Sequence, residues 1–211
     1  MIPKRLIFAM IATFGLTACA ATDVVTRNST DVGPLLSSAA EDTLRPDISV
    51  AQLNVTVPET LKVSEANRFY PGGDIVWRGE PYGNRYEQVR AIFETGMGNG
   101  IARLSGPQAV VVDIEVERFH SVTERTRYTV GGVHSIRFLM TVRDAETGVV
   151  LEPARSVAAD LKAYGGQAAM RAEAMGRGQK VRLVEHLEKV ILAELTRPRD
   201  AGAPILLAAA R

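Results

Sequence analysis

A single cysteine, Cys19, serves the whole 211-residue chain, which rules out an intrachain disulfide, a Cys-x-x-Cys redox pair and a multi-thiolate metal site. Charge of one sign is missing too. The 25 Lys and Arg residues stand against 24 Asp and Glu, so there is no electrostatic reason to expect nucleic acid as a partner. No apolar run reaches the roughly 20 residues that a membrane-spanning helix needs. Two hydrolytic signatures are absent as well, the Gly-x-Ser-x-Gly nucleophile elbow and the His-Glu-x-x-His zinc pair. Only three histidines occur, His120, His134 and His186. The first two fall at the ends of neighbouring strands, with no carboxylate or cysteine pattern beside them, and read as plain surface residues rather than metal ligands. No metal and no cofactor is expected.

What is present starts at the N-terminus. Lys4 and Arg5 precede the uncharged stretch Leu6 to Leu16 (LIFAMIATFGL), the layout of an export signal and too short for a bilayer span. The run closes on Leu16-Thr17-Ala18-Cys19, which resembles the lipobox of bacterial lipoproteins. That resemblance implies cleavage before Cys19 and acylation of its thiol and of the new amino terminus, with the membrane as a partner through the lipid anchor. Two acyl signals already anchor stably. Ala20 follows where an aspartate usually retains lipoproteins at the inner membrane, so the resemblance implies transfer to the periplasmic face of the outer membrane. Removing residues 1–18 takes away two basic and no acidic residues, leaving 23 Lys and Arg against 24 Asp and Glu, and the formal charge moves from +1 to −1.

Residues 1–18 are thus expected to be a signal peptide and 19–46 a lipidated N-terminus with a flexible tether. The segment from Ala20 to Pro46 is small, polar and without period, with a typical end-to-end distance of roughly 30 Å. Residues 47–196 are expected to form an α+β periplasmic domain, and 197–211 a poorly ordered tail. Within the domain, Ala51, Leu53, Val55 and Val57 alternate with polar residues up to Pro58, which predicts a strand. A short strand is predicted at Asp74 to Arg78. Asn84, with Glu87 three residues on, predicts a helix start. Val89, Ile92, Phe93, Met97 and Ile101 then keep a helical period, interrupted by Gly96, Gly98 and Gly100, each costing about 1 kcal/mol against alanine.

Val110, Val112, Ile114 and Val116 point one way and Asp113, Glu115 and Glu117 the other. A partner strand carries Ile136, Phe138, Met140 and Val142 inward, with Arg137 and Arg143 outward to meet the carboxylates. Asp144 to Gly148 predicts a tight hairpin turn, followed by a strand from Val149 to Tyr164 bent at Pro153. One last helix is predicted from Gln167 to Thr196, with Val181, Val184, Leu187, Ile191 and Leu195 on its buried face and Gly176-Arg177-Gly178 as a kink within it. The order implies a two-layer α+β sandwich: a mostly antiparallel sheet of about four strands with two helices packed on one face.

Two segments concentrate candidate binding residues. Asp74, Trp77, Arg78 and Tyr82 lie in a charged loop around the only tryptophan, and loops on rigid scaffolds are where binding residues gather. Arg125, Arg127 and Tyr128 sit at a hairpin tip. The plainer reading has Trp77 capping one end of the core while Arg78 and Asp74 pair locally. An enzymatic reading needs the carboxylates of Asp74 and Glu80 in one cleft, roughly 5 to 10 Å apart. A purely structural reading has Trp77→Ala affecting stability alone. The stretch from Ile75 to Arg85, followed by the helix and the meander, resembles a family of bacterial lipoproteins classed as a domain of unknown function. More distantly, the element order resembles accessory lipoproteins of ABC-type envelope transport and of lipopolysaccharide assembly. The resemblance implies a non-enzymatic accessory component whose partner is an envelope protein or a lipid.

Overall fold

The computed structural model describes residues 47–197. The expected signal, Cys19, the tether and the tail beyond residue 197 lie outside the described residues. The element order is β1 (Ile48–Thr56), β2 (Ile75–Val76), α1 (Arg85–Ile101), β3 (Gln108–His120), α2 (Glu124–Arg127), β4 (Gly132–Asp144), β5 (Val150–Ala158), β6 (Leu161–Ala163), α3 (Gly166–Ala174) and α4 (Gln179–Thr196).

The domain is α+β, but the sheet is mixed and has six strands rather than about four. Its path is β1-β3-β4-β5, with β2 beside β3 and β6 beside β4. β1 and β2 both run parallel to β3 along the same edge, β1 against Gln108 to Glu115 and β2 against Phe119 and His120. The reason is the helix between them. α1 carries the chain back over one face to the end where it began, and a strand entered through such a crossover runs parallel to the one before it. From β3 onward every pairing is antiparallel.

The central hairpin follows its alternation. Val110, Val112, Ile114 and Val116 of β3 and Ile136, Phe138, Met140 and Val142 of β4 are buried. On the outer face, Arg143 grips Asp113 with Nε to Oδ2 at 2.7 Å and Nη2 to Oδ1 at 3.0 Å, and Asn54 adds a third donor at 2.7 Å. These hydrogen bonds, the Arg143 fork foremost, hold the Asp113 carboxyl below its ordinary range. Asp144 Oδ1 accepts from the Glu146 and Thr147 amides, and Gly148 takes φ +70°, a left-handed position that suits glycine.

β5 pairs Arg155 with Met140 and Glu152 with Val142, so Pro153 and Ala154 together oppose one β4 residue as a bulge. Proline is tolerated there because β5 is an edge strand, which needs no amide donor on its outer side. The predicted single strand to Tyr164 is interrupted at Ala159-Asp160. There the Asp160 carboxylate accepts the Ile136 amide at 2.9 Å, replacing a ladder bond.

The last helix is also two rather than one. α3 ends at Met175 with Gly176 left-handed at φ +71°. The Arg177 amide reaches Ala172 O and the Gly176 amide Glu173 O, the paired bonds of a Schellman stop. α4 buries Leu183, Leu187, Ile191 and Leu195, whereas Val181 is exposed. Restarting the helix at Gln179 sets its phase independently of the preceding turn. α1 buries Val89, Ile92, Phe93 and Met97, and Asn84 Oδ1 caps it by accepting from Tyr86 and Glu87 amides at 3.0 and 3.3 Å. The apolar faces of α1 and α4 join the buried face of the sheet in one core.

Candidate functional site

Both candidate segments lie at the end of the sheet where β2 finishes, β3 ends and β4 begins. Trp77 follows β2 directly and is fully buried. Its ring meets Phe119 edge-on at 5.6 Å, and Phe93 links Phe119 to Phe138 through centroid separations of 6.1 and 5.7 Å. The indole Nε1 donates to Glu80 Oε2 at 2.8 Å, and Lys180 Nζ donates to Glu80 Oε1 at 2.6 Å. Trp77 therefore anchors the core, and its polar edge ties the loop to the first turn of α4.

Arg78 and Asp74 do not pair. Asp74 Oδ2 accepts the Lys62 amide at 2.9 Å. The Arg78 guanidinium bonds Glu124 of α2 through Nε, and its Nη1 donates to Glu65 O at 2.8 Å. Arg85, buried at the start of α1, forks onto Glu65 with Nε to Oε1 at 2.7 Å and Nη2 to Oε2 at 3.0 Å. Charges therefore alternate along Arg85, Glu65, Arg78 and Glu124. The Arg85 hydrogen bond holds Glu65 below the usual carboxylate range, and the Glu124 hydrogen bond raises Arg78. Burial pulls Glu124 upward and is the largest single influence, but the Arg78 hydrogen bond, a backbone hydrogen bond and the charges of Arg78 and Arg127 together outweigh it, and the net direction is down.

This chain of ion pairs joins the two candidate segments. Glu65 and Glu124 were not distinguishable from other surface acids in the sequence, because their partners lie 20 and 46 residues away. Tyr82 stands 85% exposed with Arg85 5.7 Å from its ring. Arg125 lies 4.8 Å over the Phe69 ring. Arg127 lies 4.8 Å over Tyr128 and pairs with Glu173 of α3 at 3.3 Å, and the Tyr128 hydroxyl donates to Glu173 at 3.2 Å.

Next to this second segment is a shallow cleft of about 20 Å³, lined by Arg127, His134, Tyr164, Gln179, Arg182 and Glu173 among others. That is room for about one water molecule, far below the 300–1,000 Å³ typical of small-molecule pockets. His134, expected on the surface, is buried. Gln179 Nε2 donates to Ser121 Oγ at 2.5 Å, and Ser121 Oγ lies 2.8 Å from His134 Nδ1, so the hydroxyl can donate to the neutral ring. Burial first, then the charges of Arg182, His186 and Arg127, push His134 down to about 3.

An unfolded histidine takes up a proton near pH 6.5, whereas the folded one resists to about 3, so this side chain's contribution is intact above pH 6.5 and lost progressively below it. We expect about 2–3 kcal/mol of stability to disappear between pH 7 and 4.5. His186, lowered in the same direction, adds to the loss. Urea titrations of the wild type and His134→Gln across that range check it, the variant showing the smaller slope. Equal slopes would refute the assignment.

His120 Nε2 lies 2.9 Å from Pro71 O. Among the described residues no cluster of three or more His, Cys, Asp or Glu side chains could hold a metal ion, and no helix is long and apolar enough to cross a membrane.

Fold and site together define an α+β domain of one mixed sheet and a helical layer, with a small basic cleft at one sheet end. The chain belongs to the family of unknown function DUF6778, whose model matches residues 48–208. No curated protein matches it. Among solved structures it is similar to protein XCC0632 of Xanthomonas campestris, assigned to DUF330, at 8% identity and TM-score 0.40, covering 72% of this chain and 85% of that one. The hypothetical protein CT253 of Chlamydia trachomatis gives 11% identity and TM-score 0.39, covering 72% and 96%. A candidate lipoprotein of Caulobacter crescentus gives 11% and 0.32, covering 74% and 92%.

Proposed function

We propose that the protein is a lipid-anchored, non-enzymatic component of the bacterial envelope, acylated on Cys19, held at the periplasmic face of the outer membrane, and binding an envelope partner in assembly or transport. The observation that carries this reading is the sequence Leu16-Thr17-Ala18-Cys19 after a charged start and a short apolar run. Side-chain engagement supports binding over catalysis. Asp74 caps the Lys62 amide and Glu80 holds the Trp77 indole and Lys180, so both carboxylates that a hydrolase would use are committed to structural bonds.

Mass spectrometry of the protein from membranes is expected to show a triacylated N-terminal Cys19, and Cys19→Ser to move the protein into the soluble or uncleaved fraction. A Cys19→Ser protein that is processed and membrane-bound like the wild type would refute the anchor. Recovery of the wild type in inner-membrane vesicles would refute the outer-membrane assignment. Crosslinking in intact cells at Tyr82 and Arg125, both exposed, tests for a partner.

A further inference from the structure

The exposed large apolar side chains of the described residues are gathered at one end of the domain. Only Val149 and Val150 lie by the β4–β5 turn, and all the others flank the end where β3 finishes and the long helices start. Several of them form one surface. The Thr123 hydroxyl donates to Arg68 O at 2.9 Å and the Thr126 hydroxyl to Phe69 O at 3.5 Å, which sews the segment around Phe69 and Tyr70 onto α2. The Gly131 amide returns to Thr126 O at 2.8 Å. Gly131 and Gly165 then pass so close that a Cβ on Gly165 would lie 2.2 Å from the Gly131 nitrogen, which sets Val130 beside Tyr164. The Tyr128 hydroxyl donates to Glu173 of α3, and Met170 shares that helix face three residues earlier. Phe69, Tyr70, Tyr128, Val130, Tyr164 and Met170 are therefore neighbours, with Tyr70 94% and Val130 76% exposed. Exposed apolar residues scattered singly are ordinary, whereas a contiguous group of them marks an interaction surface.

The charge on this surface is one-sided. The carboxylates of α2 and α3, Glu124 and Glu173, are taken by Arg78 and Arg127. Arg68, Arg125 and Arg171 are exposed and hold no ion pair among the described residues, and Arg125 covers only the Phe69 ring, at 4.8 Å. A second copy of the chain, docked through the same surface about a two-fold axis, would bring these like charges together at a cost in affinity. A partner that carries carboxylates would neutralise them. The residue types match, since Tyr, Phe, Met and Arg are enriched at the centres of protein interfaces.

Position favours a protein over the bilayer as the occupant. Ile48 pairs with Gln108 at the start of β3. α4 runs in the same direction as α1, a Cβ on Gly96 meeting Val184 and one on Gly100 meeting Glu188, so α4 too finishes at the end where β3 begins. The segments before Asp47 and after Arg197 thus attach at the end opposite the apolar surface, and a domain held from there turns that surface away from what holds it.

We propose that this surface docks a partner protein through a segment in which apolar side chains are flanked by carboxylates, with Tyr70, Tyr128 and Val130 at the centre of the contact and Arg68, Arg125 and Arg171 at its rim. The proposal rests on the reading of the domain as an envelope binding module, and adds the surface and the chemistry of what it binds.

The test is photocrosslinking in intact cells, with p-benzoylphenylalanine placed in the full-length protein at Tyr70 or Val130 and, for comparison, at Val149 or at Glu115 on the outer face of the sheet. An adduct with one protein is expected at Tyr70 and Val130 and absent at Val149 and Glu115, its crosslinked peptide carrying apolar residues beside Asp or Glu. Arg68→Glu combined with Arg171→Glu is expected to lower the adduct yield about tenfold, because like charges then face each other across the contact. Arg137→Glu, on an exposed arginine of the outer face, is expected to leave it unchanged. Circular dichroism verifies that the variants fold.

An adduct of twice the chain's mass would overturn the acidic partner in favour of self-association, and an adduct with lipid alone would overturn it in favour of a membrane-facing surface. A protein adduct indifferent to the charge reversal, or one whose crosslinked peptide lacks Asp and Glu, would overturn the chemistry assigned to the partner. Adducts confined to Val149 or Glu115 would remove this surface and leave the binding-module reading standing. No adduct at any position would overturn both.

Discussion

Replacing Trp77 by alanine is expected to lower the unfolding free energy by about 3–5 kcal/mol. The indole is fully buried and touches Phe119 edge-on at 5.6 Å, the first link in a line of rings that runs through Phe93 to Phe138. A buried aromatic of this size removes about 150–250 Å² from water, which at about 25 cal/mol per Å² gives roughly 4–6 kcal/mol as an upper bound. Two local features modulate the loss. The backbone at Gly79 passes so close over the ring that an added Cβ would sit 2.3 Å from Cη2, so the loop can settle into part of the cavity. Glu80 loses the indole donor but keeps Lys180, which limits the electrostatic damage.

Trp77→Phe separates the contributions, retaining most of the packing while deleting the Nε1 hydrogen bond, with an expected cost of about 1–2 kcal/mol. Trp77 is the only tryptophan, so unfolding has to be followed by far-ultraviolet circular dichroism in urea. A loss below about 1 kcal/mol for Trp77→Ala would mean that the ring is not the anchor of this end of the core.

The features that sequence reasoning located are those whose determinants sit within a few residues of one another. The alternation in β3 and β4, the Asn84 cap and the Asp144 turn each rest on local geometry, and each forms where the pattern places it. The parallel edge was missed because the alternation of β1 reports which face is buried and says nothing of direction, which the α1 crossover decides. The break at Gly176 was read as a kink because apolar residues continue on both sides of it, and only the change of phase, burying Leu183 instead of Val181, reveals two helices.

The candidate residues were found as two separate segments. Their connection through Arg78 and Glu124, and the basic cleft built from residues between Val122 and Arg182, depend on contacts that leave no spacing signature. Ser121, His134 and Gln179 illustrate the difficulty. Each is an ordinary polar residue in the sequence, and only their convergence makes a buried hydrogen-bonded line at the cleft.

The three glycines of α1 give the second large effect, and with opposite signs. Each weakens an isolated helix by about 1 kcal/mol relative to alanine, yet α1 continues through all of them to Ile101. Gly96 and Gly100 are four residues apart and so share one face, the face packed on α4. A Cβ on Gly96 would lie 2.8 Å from Val184 O and 2.9 Å from Leu187 Cβ, and one on Gly100 2.7 Å from Glu188 O and 2.5 Å from Ile191 Cγ2. Carbonyl oxygens of a helix cannot swing aside as a side chain can, so the two helices would have to separate. Gly98 faces open space, with nothing within 4 Å. Gly96→Ala and Gly100→Ala are therefore each expected to cost about 1–3 kcal/mol, as overpacked cores do, and the double variant about 3–5 kcal/mol. Gly98→Ala is expected to gain about 0.5–1 kcal/mol, because it restricts the unfolded chain and meets no neighbour. Urea denaturation of the four variants measures all of these effects. If Gly96→Ala and Gly100→Ala stabilised the protein as Gly98→Ala does, the close approach of α1 and α4 would be wrong, and with it the position of Gln179 and the first turn of α4 at the cleft.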